Sequence, residues 1–134
     1  MKVSFDFDGC LGDNKFVQLI CKVFQSAGHE VFIITSRDAQ MENRDLWKLA
    51  SEFSIPKENI HMTNGTLKVH KFMELGMDLH FDNSFDEVAA INDMFEGNQP
   101  FKKSCDMPAF LTNFDSEEMG FIHNFVVNTK MDIS

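Results

Sequence analysis

The sequence predicts an α/β fold with a doubly wound, mainly parallel sheet in a single domain. Three observations carry that reading. Short apolar runs alternate with stretches of helical periodicity from the first residues to about position 95. One run, Val31-Phe32-Ile33-Ile34, is continuously apolar, as in a strand covered on both faces. The chain of 134 residues can bury one sizeable core and is too short for two.

Taken in order, Val3-Ser4-Phe5 is the first strand. Asp13 or Asn14 then caps a helix with the apolar stripe Phe16, Ile20, Val23, Phe24 and Ala27, closed by Gly28. Val31 to Ile34 follows as the second strand. The next helix carries Leu46, Leu49, Ala50 and Phe53 on one side, with Pro56 beyond its end. Ile60-His61-Met62 is a short third strand. Lys68 to Leu75 is a brief helix stopped at Gly76, and Leu79-His80-Phe81 is the fourth strand. Phe85, Val88, Ala89, Ile91 and Phe95 mark a helix ending near Gly97. In the tail from 98 to 134, Ala109 to Thr112 reads as a fifth strand, and Phe121 to Val127 as a strand or a helix.

Hydrophobic content of 43% and charged content of 25% are ordinary for a globular protein. Fifteen Phe beside no Tyr is unusual and points to no function. A net charge of −9 argues against a general nucleic-acid-binding surface, which needs clustered Lys and Arg. It leaves room for an anionic substrate in a locally positive cleft. Cys10, Cys21 and Cys105 are odd in number and widely spaced, which favours reduced thiols and a cytoplasmic setting. No signal peptide is expected, because Asp6 interrupts the N-terminal apolar run, and no apolar run reaches spanning length.

The chemistry concentrates at strand ends. Asp6-Phe7-Asp8-Gly9 follows the first strand, where two carboxylates one residue apart are costly unless a cation or a reaction uses them. Gly9 allows a sharp turn and close approach to a ligand. Thr35 ends the second strand and Ser36-Arg37 follow it. Lys68 opens the helix before strand four, and Phe81-Asp82-Asn83-Ser84-Phe85-Asp86 ends that strand. An EF-hand loop beginning at Asp6 fails, since its sixth position is Leu11 and its twelfth Val17.

In order and context these four pieces resemble the haloacid dehalogenase (HAD) superfamily, of Rossmann-like architecture, over residues 1 to 95. The commonest activity of that superfamily is phosphate-ester hydrolysis. The resemblance implies that Asp6 is the nucleophile, forming an aspartyl-phosphate, and that Asp8 serves as general acid and base. It implies that Thr35 binds a phosphoryl oxygen and that Lys68 neutralises charge on Asp6 and the transferring group. It implies Mg²⁺ held by Asp6, the Asp8 carbonyl and Asp82, and Gly9, Ser36 and Arg37 beside the substrate. Blander roles compete: Ser36 rivals Thr35, Lys71 rivals Lys68, and Arg37 has Asp38 or Glu42 as surface partners. His80 reads as a packed or hydrogen-bonded strand residue rather than a ligand, and His29, His61, His70 and His123 show no metal spacing.

One position departs from the family. Many members carry two adjacent acids at the fourth motif, whereas Asn83 follows Asp82 here, and Asp86 is the candidate second acid for the metal. Neither Gly9 to Glu30 nor Thr63 to Leu67 has room for a cap domain, so the expected site is open. The Thr35-Ser36-Arg37 stretch looks like capless phosphatases acting on polynucleotide ends. The expectation is a Mg²⁺-dependent phosphomonoesterase acting on a nucleotide, a nucleic-acid end or a phosphoprotein. It would have no membrane partner, and oligomerisation stays open. The rival from another class is a catalytically silent HAD-shaped binding or regulatory protein.

Overall fold

The computed structural model of the chain describes residues 1–97 and 108–112. Its element order is β1 (Lys2–Phe5), α1 (Lys15–Ser26), β2 (Glu30–Thr35), α2 (Arg44–Glu52), β3 (Ile60–Met62), α3 (Val69–Leu75), β4 (Leu79–Asp82), α4 (Phe85–Gly97) and β5 (Ala109–Leu111). Among the described residues the five strands are all parallel, in the order β3-β2-β1-β4-β5. The architecture is therefore α/β, compatible with a Rossmann-like fold. The segment 121–127, expected as a strand or a helix, lies outside the described residues.

Local sequence explains the boundaries. Of the two expected caps for α1, Asn14 does the work: its Oδ1 accepts from the amides of Phe16 and Val17, at 2.9 and 3.2 Å. Gly76 ends α3 in the left-handed region, at φ 68°, where its lack of a Cβ avoids strain. The 3₁₀ turn Lys57–Asn59, entered from Pro56, feeds β3.

Period-two alternation divides the core. Val3, Phe5, Val31 and Ile33 pack on one side of the sheet with Val17 and Cys21 of α1 and Leu46, Leu49 and Ala50 of α2. Phe32 and Ile34 face the other way, against Val69 and Phe72 of α3 and Val88 and Ile91 of α4. The sheet is thus covered on both faces, which is why β2 reads as an unbroken apolar run. No helix among the described residues is long and apolar enough to cross a membrane.

The strand order also fixes where a ligand belongs. The chain moves outward from β1 through β2 to β3, then returns to the opposite side of β1 as β4. Ligands in open parallel sheets bind at the carboxyl ends of strands where the order reverses. Here that point lies between β1 and β4.

Candidate active site

Asp6 follows β1 directly, and its amide donates to the Phe81 carbonyl at 2.9 Å, extending the β1–β4 pairing by one residue. Asp82 ends β4, and its carbonyl accepts from Thr112 N at 2.8 Å, so β5 holds it from the far side. Phe81 packs with the α1/α2 core. Strand alternation therefore turns His80 and Asp82 toward α3 and α4, the side from which Lys68 approaches.

Lys68 precedes α3 and is only 2% exposed. Its Nζ lies 2.7 Å from Asp6 Oδ1 and 2.7 Å from Asp82 Oδ2. Behind them runs a buried polar chain: Asp82 Oδ2 is 2.8 Å from His80 Nε2, and His80 Nδ1 is 2.8 Å from Ser4 Oγ. Asp82 Oδ1 accepts from the Ser84 amide at 2.9 Å. The backbone amide of Lys68 donates to Glu87 Oε2, also at 2.9 Å, tying α4 to the start of α3.

One ammonium shared by two buried carboxylates cannot offset both. Burial, with the Asp82 charge adding to it, raises the Asp6 pKa to about 6 despite the opposing effect of Lys68. Burial also opposes ionisation of Asp82, but the hydrogen bond from His80 and the Lys68 charge outweigh it, leaving Asp82 below its ordinary value. Burial acts against the Lys68 charge too, yet the two carboxylates raise its pKa overall. Burial lowers the pKa of fully enclosed His80, more than Asp82 can compensate. A neutral His80 donates from Nε2 to Asp82 and accepts at Nδ1 from the Ser4 hydroxyl.

Asp8 points elsewhere. Its carboxylate is well exposed and held by Arg37, Oδ1 by Nη2 at 2.7 Å and Oδ2 by Nε at 2.9 Å. The same guanidinium donates to both Asp45 oxygens, at 2.7 and 2.8 Å, and to Asn43 Oδ1 at 3.4 Å. It also lies over the Phe7 ring, 4.8 Å from the centroid. Asp45 is held down at about 2, chiefly by its hydrogen bonds from Arg37. The surface partners expected for Arg37, Asp38 and Glu42, are replaced by Asp8 and Asp45. Sequence neighbours lost to tertiary ones, because β2 runs beside β1 and brings Arg37 to the loop after Asp6.

That loop, Phe7–Leu11, turns widely, with Leu11 N bonded to Asp6 O and Gly12 N to Phe7 O. Gly9 takes φ +70°, and a Cβ there would collide with the Asn83 amide. Turned so that its nitrogen faces the acids, Asn83 donates to Asp6 Oδ2 at 2.8 Å and to the Asp8 carbonyl at 3.3 Å. The amide therefore stands against two oxygens that a cation would share.

The donor set suits a hard cation. Asp6 Oδ2, the Asp8 carbonyl and the remaining lone pair of Asp82 Oδ1 are all oxygen, the ligand type Mg²⁺ prefers. Asp82 Oδ2 is already filled by Lys68 and His80. Among the described residues, no three His, Cys, Asp or Glu side chains stand together as a self-sufficient metal cluster. An ion here would depend on the backbone carbonyl and on water as well as on carboxylates.

The remaining expected residues divide. Thr35 is fully buried at the end of β2, and its Oγ1 accepts from the Arg37 amide at 3.3 Å. Ser36 is exposed, with its carbonyl taking the Gly65 amide. Lys71 pairs with Glu74 at 2.8 Å on the outer face of α3, away from the acids. Asp86, the candidate second acid, is exposed in the first turn of α4 and is not brought to the cluster, whereas neighbouring Glu87 turns in. Cys10 is buried beside the site, and burial pushes its thiol up to about 12, so it stays protonated. Ser4, Glu87, Asp45 and Asn43 were not expected at the site. The polar Ser4 inside an apolar strand, and His80 two residues before Asp82, were the only sequence signals for the buried chain.

Two depressions flank the Asp8–Arg37–Asp45 bridge. The smaller, about 160 Å³, is lined by Phe7, Asp8, Gly12, Asp13, Asp45 and Leu49. The larger, about 530 Å³, is lined by Arg37, Glu42, Arg44, Asp45 and Lys48.

Compared with protein-family models, curated proteins and solved structures, the chain has no significant match in any of the three.

Proposed function

We propose that the chain is a Mg²⁺-dependent phosphomonoesterase of the HAD type, without a cap domain, working through an aspartyl-phosphate on Asp6. The observation that carries this reading is the buried Lys68 ammonium held between Asp6 and Asp82 at the strand-order reversal. A buried cation at a carboxylate suits a nucleophile that must approach an anionic phosphoryl group.

In this reading Asp6 attacks phosphorus with one carboxylate oxygen, and Lys68 offsets charge on the attacking group and the phosphoryl oxygens. Thr35 has a hydroxyl proton to donate to a phosphoryl oxygen, since its own oxygen accepts from Arg37 N. Asp8 leaves Arg37, takes up a proton from solvent and gives it to the departing oxygen, later takes one from the water that opens the aspartyl-phosphate, and returns that proton to solvent on re-pairing with Arg37. His80 and Ser84 fix the Asp82 carboxylate so that one oxygen serves Lys68 and the other stays available. Bound Mg²⁺ would supply electrostatic shielding of the phosphoryl oxygens, held by Asp6, Asp82 and the Asp8 carbonyl.

A second reading, a silent binding or regulatory protein of the same shape, has one observation in its favour: Arg37 engages both oxygens of the Asp8 carboxylate. Hydrolysis of p-nitrophenyl phosphate with and without Mg²⁺, in wild type and Asp6→Asn, separates the two. Turnover that needs Mg²⁺ and vanishes in the variant supports the enzyme. Metal-independent turnover, or a fully active variant, overturns it.

A further inference from the structure

Every N–H of Arg37 is occupied: Nε and Nη2 serve Asp8, Nη1 and Nη2 serve Asp45, and the last Nη1 proton points at Asn43. Both oxygens of Asp8 sit in that fork, and an anion taking the same edge of Arg37 would release them. The larger depression begins at Arg37 and continues along α2 to Arg44 and Lys48. These two lie one helical turn apart on one face, so their charges act together on that side of the depression. Arg44 has only a long, exposed pairing with Glu42, at 3.6 Å. Three cations therefore line this cleft against two carboxylates, in a chain whose net charge is −9. The smaller depression is lined by Asp8, Asp13 and Asp45 and by no cation. Size points the same way: about 530 Å³ accommodates a nucleotide-sized group, and about 160 Å³ does not.

Resting on the phosphatase reading above, we propose that the substrate is a nucleotide-sized bisphosphate whose leaving group carries a second phosphate into the Arg37–Arg44–Lys48 cleft. That phosphate takes the Nε/Nη2 edge of Arg37 and releases Asp8, while Asp45 keeps the guanidinium anchored from the other edge. Arg44 and Lys48 are specificity residues, remote from the reacting phosphoryl group. The chain's acidity disfavours a longer polyanion in the same place.

The test is calorimetric titration of the full chain, in Mg²⁺, with adenosine 3′,5′-bisphosphate, adenosine 5′-monophosphate and a 5′-phosphorylated oligonucleotide. Phosphate release is measured in parallel. The bisphosphate should bind about ten-fold or more tighter than the monophosphate, as expected of added charge-assisted contacts. The Arg44→Ser/Lys48→Ser double variant should erase that preference, bringing the bisphosphate affinity down to that of the monophosphate. Equal affinities, a preference that survives the double variant, or tighter binding of the oligonucleotide would each overturn the proposal. The two readings fail separately. Bisphosphate binding that depends on Arg44 and Lys48 without phosphate release removes the phosphatase and keeps the cleft. Release from both small compounds with equal binding does the reverse.

Discussion

Lys68 Nζ stands 2.7 Å from Asp6 Oδ1 across 62 positions of chain, and both groups are buried. Replacing Lys68 with Met removes the only cation shared by Asp6 and Asp82 among the described residues. Breaking a buried pair of this kind costs about 3–5 kcal/mol. Urea unfolding should show that loss at pH 8 and a smaller one at pH 5, where Asp6 takes up a proton. Lys71→Ala should be close to neutral for stability and activity, because its partner Glu74 is a surface residue.

Asp6→Asn should abolish phosphate release while the far-ultraviolet circular dichroism stays native. The change is nearly isosteric, and Lys68 retains Asp82 as its counter-ion.

The pH dependence of that variant has a definite sign. The Asp6 pKa rises from 3.8 to about 6 on folding, so its protonated form favours the folded chain. Its contribution is full below pH 3.8 and is lost as pH climbs to about 6. The stability of Asp6→Asn relative to wild type should therefore increase across that window in denaturant titrations. A flat difference would show that Asp6 ionises freely in the folded chain.

Divalent-cation affinity should follow the same ionisation. Mn²⁺ binding, read by electron paramagnetic resonance, should be tighter at pH 7.5 than at pH 5, since the ion competes with a proton at Asp6. Asn83→Asp places a carboxylate against Asp6 Oδ2 and the Asp8 carbonyl, and should tighten Mn²⁺ binding further while lowering stability of the metal-free chain. Unchanged affinity would show that position 83 does not face the ion.

Gly9→Ala combines a φ of +70° with a Cβ that meets the Asn83 amide. A strained backbone position of this sort costs about 1–3 kcal/mol. Thermal unfolding should register the loss, and the Mn²⁺ affinity should fall with it as Asn83 is pushed aside.

Much of the fold was legible because strand and helix periods are written locally. The apolar run at β2, the caps near Asn14 and Gly76, and the alternation of elements all follow from residues within a few positions of one another. The strand-end positions of Asp6, Thr35 and Asp82 were readable. The site was not readable where helix phase or lateral packing decides. Helix α4 is phased by Ser84, whose carbonyl takes Val88 N, and that phase turns Glu87 rather than Asp86 toward α3. The partners of Arg37 depend on which strand lies beside β2, which no local pattern states. The Ser4–His80 contact joins residues 76 positions apart through the sheet.

Placing β1 in the middle of the sheet, with β4 as its neighbour, has a kinetic consequence. The first acid of the cluster meets its counter-ion only when Lys68, at the start of α3 and beyond the half-sheet β1–β2–β3, reaches it, and the second acid, Asp82, arrives only when β4 docks. Non-local pairing of this kind is slow. Acid conditions that protonate Asp6 should therefore speed the docking of β4, which sets the Asp82 charge beside it.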